Sequence, residues 1–268
     1  MKRLTIYLLF GAFILTSCTQ YQKLLKSTDN NLKFNEAKAY FQNKDYNRAS
    51  QLFEDVSGYY RHTDKDEDIM YMLAECYMHQ KDYDSASDEF KAYIKSYPKG
   101  QYAEDSYYMI GYCAYLNSPD PRLDQTATYA AIDAFSNFVQ TYPMSDKAKQ
   151  AYTYLAQMKD KLAYKELLNA RLYYNLGTYM GNNYLSSVIV ANNALKKYPD
   201  TKYREDLMFI VLQAKYMEAE YSVPDLKDQR YRDVIDEYYN FINEYPKGKD
   251  AKTALAMFNQ AQKYVKEK

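Results

Sequence analysis

The sequence predicts an all-α protein, a superhelical solenoid of about five stacked helix-turn-helix repeats closed by a C-terminal capping helix. Apolar residues recur at helical spacing along most of the chain, and the sequence repeats itself with a period of 37 residues. The 268 residues include 34 tyrosines but only 7 glycines. Few glycines and many large amphipathic side chains are typical of helices and not of turn-rich β folds.

The period is clearest where Glu67–Cys76 is compared with Glu104–Cys113. In both segments an acidic pair, a tyrosine, a methionine, an aliphatic residue, a small residue and a cysteine occupy corresponding positions. The small residue is Ala74 in one segment and Gly111 in the other, and we expect it to let two helices approach closely. One helical hairpin cannot bury its apolar face alone, so repeats of this length indicate stacked units.

The second unit shows the pattern best. Its first helix places Met70, Leu73, Ala74 and Tyr77 on one face. A turn follows at residues 81–83, and the second helix ends before Pro98, because a proline disfavours helical geometry in the preceding residue. The unit resembles the tetratricopeptide repeat, which has small and aromatic residues at fixed offsets. The matching positions are Tyr40, Ala49 and Phe53 in the first unit, Tyr77, Ala86 and Phe90 in the second, and Ala131, Phe135 and Phe138 in the third.

The later units depart from this pattern. An insertion around residues 117–121 lengthens the third unit, and the fourth is degenerate, with a first helix extended over about residues 146–180. In the fifth unit we expect a loop that holds Pro224, and Ala251, Ala254, Leu255 and Phe258 then predict the capping helix.

The N-terminus reads as a secretory signal. A basic start at Lys2 and Arg3 precedes an apolar run over residues 4–15 that is too short to span a membrane. The run ends in Leu15-Thr16-Ser17-Cys18, which resembles the lipobox of bacterial lipoproteins. The resemblance implies a signal peptide over residues 1–17, acylation of Cys18, and a lipidated tether over residues 18–30. An ordinary signal peptide with a cysteine nearby is the alternative.

The composition bears on nucleic-acid binding and on the state of the cysteines. The 35 basic and 35 acidic residues give no excess of positive charge for nucleic acid. Cys76 and Cys113 occupy equivalent positions in neighbouring repeats, which favours small buried thiols over a disulfide.

No catalytic constellation stands out. The glycines form no phosphate-binding loop, and His62 and His79 lack metal-ligand spacing. The acidic run at residues 64–68 is better explained by the positive end of a helix dipole than by calcium. We therefore expect a non-enzymatic protein without metal or cofactor.

The first helices of the three leading repeats carry a second stripe, opposite to the packing face. A stripe facing solvent is normally charged, but this one is mainly aromatic, which favours a groove for an extended peptide rich in aromatic residues. Packing of some of these residues against the extended helix of repeat four, or against the tether, is the alternative. The stripe residues are Phe34, Lys38 and Phe41, then Tyr71, Glu75 and Met78, then Tyr108, Tyr112 and Tyr115.

Three segments carry a family resemblance: Ser17-Cys18 followed by residues 21–27, Ala170–Tyr174, and residues 197–205. With the repeats behind a lipobox, they resemble the BamD (YfiO) family of outer-membrane assembly lipoproteins. The resemblance implies a component of the β-barrel assembly machinery that binds unfolded outer-membrane proteins through the leading repeats, residues 31–143. It implies that the trailing repeats and cap, residues 144–268, dock on the periplasmic domains of a BamA-like barrel insertase.

Residue roles follow from this resemblance. Lys38 is expected to pair with the terminal carboxylate of a substrate. Docking is expected within Tyr184–Tyr216, with Lys196, Lys197 and Arg204 as ion-pair donors. Thr19 and Gln20 after the cysteine imply a lipid anchor in the outer membrane, on its periplasmic face. A periplasmic tetratricopeptide adaptor for cell-wall enzymes and a SusD-like glycan-binding lipoprotein remain open as alternatives.

Overall fold

The computed structural model of the protein describes residues 20–265. The predicted signal peptide, Cys18 and Thr19 lie outside these residues. Residues 20–265 contain helices and no strand, which confirms the all-α fold class. None of the helices within that range is both long enough and apolar enough to cross a bilayer.

A short helix at residues 20–25 precedes eleven longer helices within the described range. These are α1 Asn30–Gln42, α2 Tyr46–Tyr60, α3 Asp66–Gln80, α4 Tyr83–Ser96, α5 Ala103–Asn117, α6 Thr126–Thr141, α7 Ala148–Leu176, α8 Asn183–Lys197, α9 Arg204–Glu220, α10 Pro224–Glu244 and α11 Ala251–Gln262.

Neighbouring helices pack on each other serially from α1 through α5 and from α8 through α11. Serial packing of this kind is what stacked hairpins require, so the predicted repeats are confirmed. The extended first helix of repeat four is confirmed as α7, which ends before Gly177, a residue in the left-handed region with φ +55°. One expectation was wrong: Pro224 is not in the loop but is the first residue of α10, where its missing N–H leaves no hydrogen bond unmade.

The chain divides into two compact units. The first comprises the described residues up to Asn117 together with Asp133–Ala151, and the second comprises Ser118–Ile132 and the residues from Tyr152 onward. This division does not follow the border at residue 143 that we drew between substrate-binding and docking repeats, because α6 and α7 each contribute to both units. The functional border stays a prediction.

Local sequence sets where the helices begin and end. Asp45, Asp82 and Asn182 cap the second helices of three repeats, each accepting a hydrogen bond from the backbone N–H three residues later. The second helices of repeats two and five have Tyr97 and Tyr245 as their C-cap residues, each directly before a proline.

Small and aromatic residues form the core of the first unit. Ala49, Phe53, Ala86 and Phe90 are fully buried, as the repeat pattern predicts. Cys76 and Cys113 are buried free thiols, which confirms the prediction. Burial raises the pKa of each thiol to about 12.

The predicted tether is partly structured. Within residues 20–25, the ring of Tyr21 is buried, and its hydroxyl donates a hydrogen bond to Gln51 Oε1 at 2.7 Å. Arg48 lies 5.2 Å from the centroid of the same ring. This segment therefore belongs to the core of the first unit and is not a free tether.

Candidate functional site

The stripe on α1 is divided between core and surface. Phe34 is only 5% exposed and packs on Tyr60, with ring centroids 5.6 Å apart, so it is a core residue and offers a ligand no area. Lys38 Nζ lies 5.4 Å from the Phe34 ring and 3.9 Å from Asp68 Oδ2. Phe41 remains half-buried.

A histidine joins the surface beside Phe41. The ring of Tyr46 receives the edge of Phe41 at 5.6 Å and stacks on His79 at 4.2 Å. His79 Nε2 lies 3.8 Å from Glu75 Oε2. Tyr46 and His79 therefore connect Phe41, at the end of the stripe on α1, to Glu75, in the middle of the stripe on α3.

The stripe on α3 combines an aromatic ring with a buried carboxyl group. Tyr71 stacks on Tyr102, with centroids 4.1 Å apart and planes 9° from parallel, and its hydroxyl donates a hydrogen bond to Asp105. Burial raises the pKa of Tyr71, so the hydroxyl is protonated at physiological pH. Burial also raises the pKa of Glu75. Met78 Sδ accepts a hydrogen bond from the Cys113 thiol at 3.7 Å.

The stripe on α5 is a ladder of three tyrosine rings, called here the tyrosine ladder: Tyr108, Tyr112 and Tyr115. All three are half-buried. Successive centroids are 6.3 Å and 6.0 Å apart, and successive planes are 19° and 11° from parallel. The ring of Tyr108 is in addition packed edge-on against Phe135 and Phe138, at 5.7 Å and 5.4 Å. The first ring of the ladder therefore rests on a fully buried aromatic floor formed by Phe135 and Phe138.

Gly111 makes this floor possible. A Cβ atom at this position would lie 2.8 Å from Phe135 Cδ1, closer than side-chain atoms approach one another. The ring of Phe135 thus lies directly on the backbone of α5. The expectation that the small residue allows close helix approach is confirmed here.

Lys147 is a site residue that sequence reasoning missed. Its ammonium group pairs with Asp105 and lies 5.2 Å from the centroid of Tyr108. Burial lowers the pKa of Lys147, while Glu104 and Glu75 act in the opposite direction. A signal was available: Lys147 follows Pro143 by four residues, as Tyr102 follows Pro98, and both side chains reach the stripe.

The acidic residues at the start of α3 do more than offset the helix dipole. Glu67 accepts hydrogen bonds from the Tyr93 hydroxyl and from the Gln101 backbone N–H, the latter at 2.6 Å. Asp66 and Asp68 accept from the hydroxyls of Tyr97 and Tyr102 at 2.8 Å and 2.9 Å. These bonds fasten the loop after α4 to α3, and we call the arrangement the acidic clasp.

Glutamates take the place of Glu67 in two other repeats, and Glu104 makes a similar bond. Glu104 at the start of α5 accepts from the hydroxyl of Ser145 at 2.6 Å. In the second unit, the carboxylate of Glu205 lies against Gly248. No three His, Cys, Asp or Glu side chains in the described part of the chain are placed to hold a metal ion.

The predicted docking residues have different surroundings. Lys196 is exposed, and Lys197 Nζ lies 5.4 Å from the ring centroids of both Tyr129 and Tyr198. Arg204 makes a two-pronged ion pair with Glu244 across α9 and α10, with Nη2 to Oε2 at 3.1 Å. The guanidinium of Arg204 is thus occupied within the second unit.

Solved structures and a family profile match this chain. Two tetratricopeptide structures are similar at low identity: the complex of the TPR2AB domain of yeast Sti1 with pHSP90, and the TPR domain of P58(IPK). The first is 11% identical, covers 87% of this chain and 98% of that one, and has a TM-score of 0.38. The second is 13% identical, covers 94% and 67%, and has a TM-score of 0.39. At these TM-scores neither likeness supports an argument about this chain.

No curated protein sequence matches the chain. The profile of the YfiO family, described as outer membrane lipoprotein, matches residues 26–216, which is more than half of the sequence. The match begins after the signal-like segment, so it does not depend on the lipobox resemblance. The chain therefore belongs to the YfiO family of outer membrane lipoproteins.

Proposed function

We propose that this protein is a non-enzymatic scaffold of the β-barrel assembly machinery, held in the outer membrane by acyl chains on Cys18 and facing the periplasm. Its first unit binds unfolded outer-membrane proteins, and its trailing repeats dock on the periplasmic domains of a BamA-like barrel insertase. The tyrosine ladder on its buried aromatic floor is the observation that carries the first role.

The chemistry of the surface fits an extended aromatic peptide. Parallel tyrosine rings give large contact areas at low entropic cost, because each side chain has few rotatable bonds. Their hydroxyls supply polar contacts for a peptide backbone. Phe34 is no longer among the residues that we propose contact the peptide, because it is buried. The remaining contacts are Lys38, Phe41, Tyr71, Met78, Tyr108, Tyr112 and Tyr115.

Lys38 remains the proposed partner of a terminal carboxylate. Its ion pair with Asp68 is 3.9 Å long, and its side chain is 36% exposed, so the pair is loose enough for a ligand to displace. Lys147 is less suited, because Asp105 already neutralises it and Glu104 and Glu75 are also close.

Peptide titration tests the substrate-binding role. The probe is a fluorescent peptide ending in phenylalanine, taken from a barrel strand. Tyr108→Ala combined with Tyr112→Ala should weaken binding about 30-fold or more, because aromatic contacts of this kind each contribute more than 1 kcal/mol. Tyr59→Ala is the matched control, since Tyr59 is 65% exposed on a second helix and away from the stripe.

Two results decide the substrate-binding role. Circular dichroism must show unchanged helicity, so that a loss of binding reports on contacts and not on folding. Equal affinities for the double variant and for Tyr59→Ala would remove substrate binding from the proposal.

Co-purification tests the docking role. The barrel insertase should be recovered with the protein in mild detergent. Lys196→Glu combined with Lys197→Glu should reduce this recovery, because both ammonium groups are exposed. Recovery of cell-wall enzymes in place of the insertase would favour the adaptor alternative.

A further inference from the structure

The second unit contains a long segment without charge. Residues 172–195 include no Asp, Glu, Lys or Arg, although 26% of the chain is charged. The segment covers the end of α7, the loop at residues 177–182 and most of α8. Its residues are aliphatic, aromatic, small or amide-bearing.

The uncharged segment exposes large apolar side chains. Tyr179 and Met180 at the loop tip are 68% and 90% exposed, and Leu185 and Ile189 follow on α8 at 46% and 51%. Met180 has φ +54°, a left-handed conformation that is uncommon for any residue but Gly and Asn. A bulky apolar side chain at such a position, pointing to solvent, is unusual for a loop with no partner.

A second loop extends this apolar surface. Tyr221 and Val223, between α9 and α10, are 65% and 59% exposed. The ring of Tyr221 stacks on Tyr184 at 6.1 Å, with planes 10° from parallel. Asn182 Nδ2 donates to Glu218 Oε1 at 2.7 Å, which fastens the first loop to the helix that precedes the second. We call the combined surface the loop surface: Tyr179, Met180, Leu185, Ile189, Tyr221 and Val223.

Charged groups beside the loop surface are mostly paired internally. Arg230 pairs with Glu218 at 3.3 Å and also donates to Ser222. Lys215 pairs with Glu237. Asp225 in the first turn of α10 is exposed, and so is Asp233, which lies near Leu185 and accepts a hydrogen bond from Gln229. Contact with an apolar medium would therefore leave few unpaired charges to be desolvated.

The exposed face of α8 is graded in polarity. From the loop outward it carries Leu185 and Ile189, then the amides Asn192 and Asn193, then the ammonium of Lys196, all exposed. Lys196 is eleven residues after Leu185, a distance of about 16 Å along the helix at about 1.5 Å per residue. The order of apolar, amide and cationic groups matches the order met when leaving the acyl region of a bilayer for its phosphates.

We propose that the loop surface lies against the phospholipid bilayer, with Met180 and Tyr221 inserted among the lipids and Lys196 at the level of the phosphates. Membership of an outer membrane lipoprotein family places this chain at a membrane. Acyl chains on Cys18 would attach the protein at one point only, so a second contact would fix the orientation of the second unit against the bilayer. The loop surface does not involve the tyrosine ladder, so loss of substrate binding leaves the lipid contact intact. Lys196 is shared with the proposed docking donors, so the lipid contact is judged by quenching at residues 180 and 221 and not by recovery of the insertase.

Site-specific labelling tests the contact in the full chain, purified from membranes and reconstituted in vesicles of phosphatidylethanolamine and phosphatidylglycerol. Met180→Cys and Tyr221→Cys each receive an environment-sensitive fluorophore. Cys76 and Cys113 are buried, and the chain without an engineered cysteine measures any labelling of native thiols. Met144→Cys and Tyr59→Cys are matched controls in the first unit, because their native residues are 93% and 65% exposed.

Lipids with a doxyl quencher on the acyl chain should quench the labels at residues 180 and 221 several-fold more than those at residues 144 and 59. Met180→Asp should abolish the quenching at residue 221, because a carboxylate at the tip opposes insertion. Equal quenching at all four positions would overturn the proposal. So would labels at 180 and 221 that are shielded from aqueous iodide but untouched by the doxyl lipid, since a protein partner would then cover the surface.

Discussion

The contact between Gly111 and Phe135 can be tested by adding one methyl group. In an exposed helix, Gly→Ala stabilises by about 1 kcal/mol, because alanine loses less conformational freedom on folding. At Gly111 the new Cβ would lie 2.8 Å from Phe135 Cδ1 and 2.9 Å from Cε1. Phe135 is fully buried, so its ring can move away only by displacing other atoms of the core. Overpacking of this kind costs about 1–3 kcal/mol.

We therefore expect Gly111→Ala to lower the free energy of unfolding by about 1 kcal/mol after the helix-propensity gain is subtracted. Gly58→Ala is the matched control. Gly58 also lies within a helix of the first unit, and no atom lies within 4 Å of the position its Cβ would take. This variant should be about 1 kcal/mol more stable than the parent chain. The same substitution thus has opposite signs at two helical sites.

Urea titration followed by circular dichroism measures both effects, read on the transition of the first unit. Phe135→Leu in the Gly111→Ala background should recover part of the loss, since the smaller side chain frees the space that Cβ needs, with a coupling energy of about 1 kcal/mol or more. If Gly111→Ala stabilises the chain as much as Gly58→Ala, the close contact below the tyrosine ladder does not constrain the fold.

Three further perturbations have defined outcomes. Cys18→Ala should leave the protein unlipidated and released from membranes by carbonate, and retention at the parental level would refute acylation. Burial raises the pKa of Glu75 above its ordinary value of 4.5, so the folded state holds this proton more tightly and loses stability as the pH rises through the raised pKa. Glu75→Gln should accordingly be more stable than the parent at pH 7 but not at pH 4, and a gap independent of pH in thermal melts would contradict this. Arg204→Ala and Glu244→Ala should each destabilise by about 1 kcal/mol or less and should not be additive, because each removes the same pair; additive losses in a double-mutant cycle would show that Arg204 acts elsewhere.

Periodicity was sufficient to predict the hairpins because their packing is local. Apolar residues at helical spacing fix which side of each helix is buried, and Ala74 and Gly111 mark where two helices meet closely. The long α7 was equally visible, since no breaker interrupts the sequence before Gly177.

Phe34 shows where the same reasoning fails. The stripe on α1 was assigned from a spacing of i, i+4 and i+7, but Phe34 also lies three residues before Ala37, which is fully buried. Residues three apart are neighbours on a helix, so Phe34 lies at the edge of the packing face. Tyr71 and Tyr108 have the same offset to Ala74 and Gly111 but are half-buried, so the pattern alone does not decide between edge and core.

Contacts between residues far apart in the sequence could not be predicted, for a different reason. The acidic clasp joins Glu67 to Gln101, 34 residues later, and Lys147 pairs with Asp105, 42 residues earlier. Such pairs depend on how one loop folds back on a helix, and the spacing of apolar residues carries no information about it. The Tyr-Pro steps at residues 97–98 and 142–143 mark the loops concerned but not their partners.

The two buried thiols bear on how this chain survives oxidation. With a pKa of about 12, each thiol is ionised in roughly one molecule in 10⁵ at pH 7, and only the ionised form attacks a disulfide or reacts readily with an oxidant. Folding therefore makes Cys76 and Cys113 chemically inert without pairing them. The two thiols are exposed to oxidation only while the polypeptide is unfolded. Folding of the second and third helical hairpins ends this exposure.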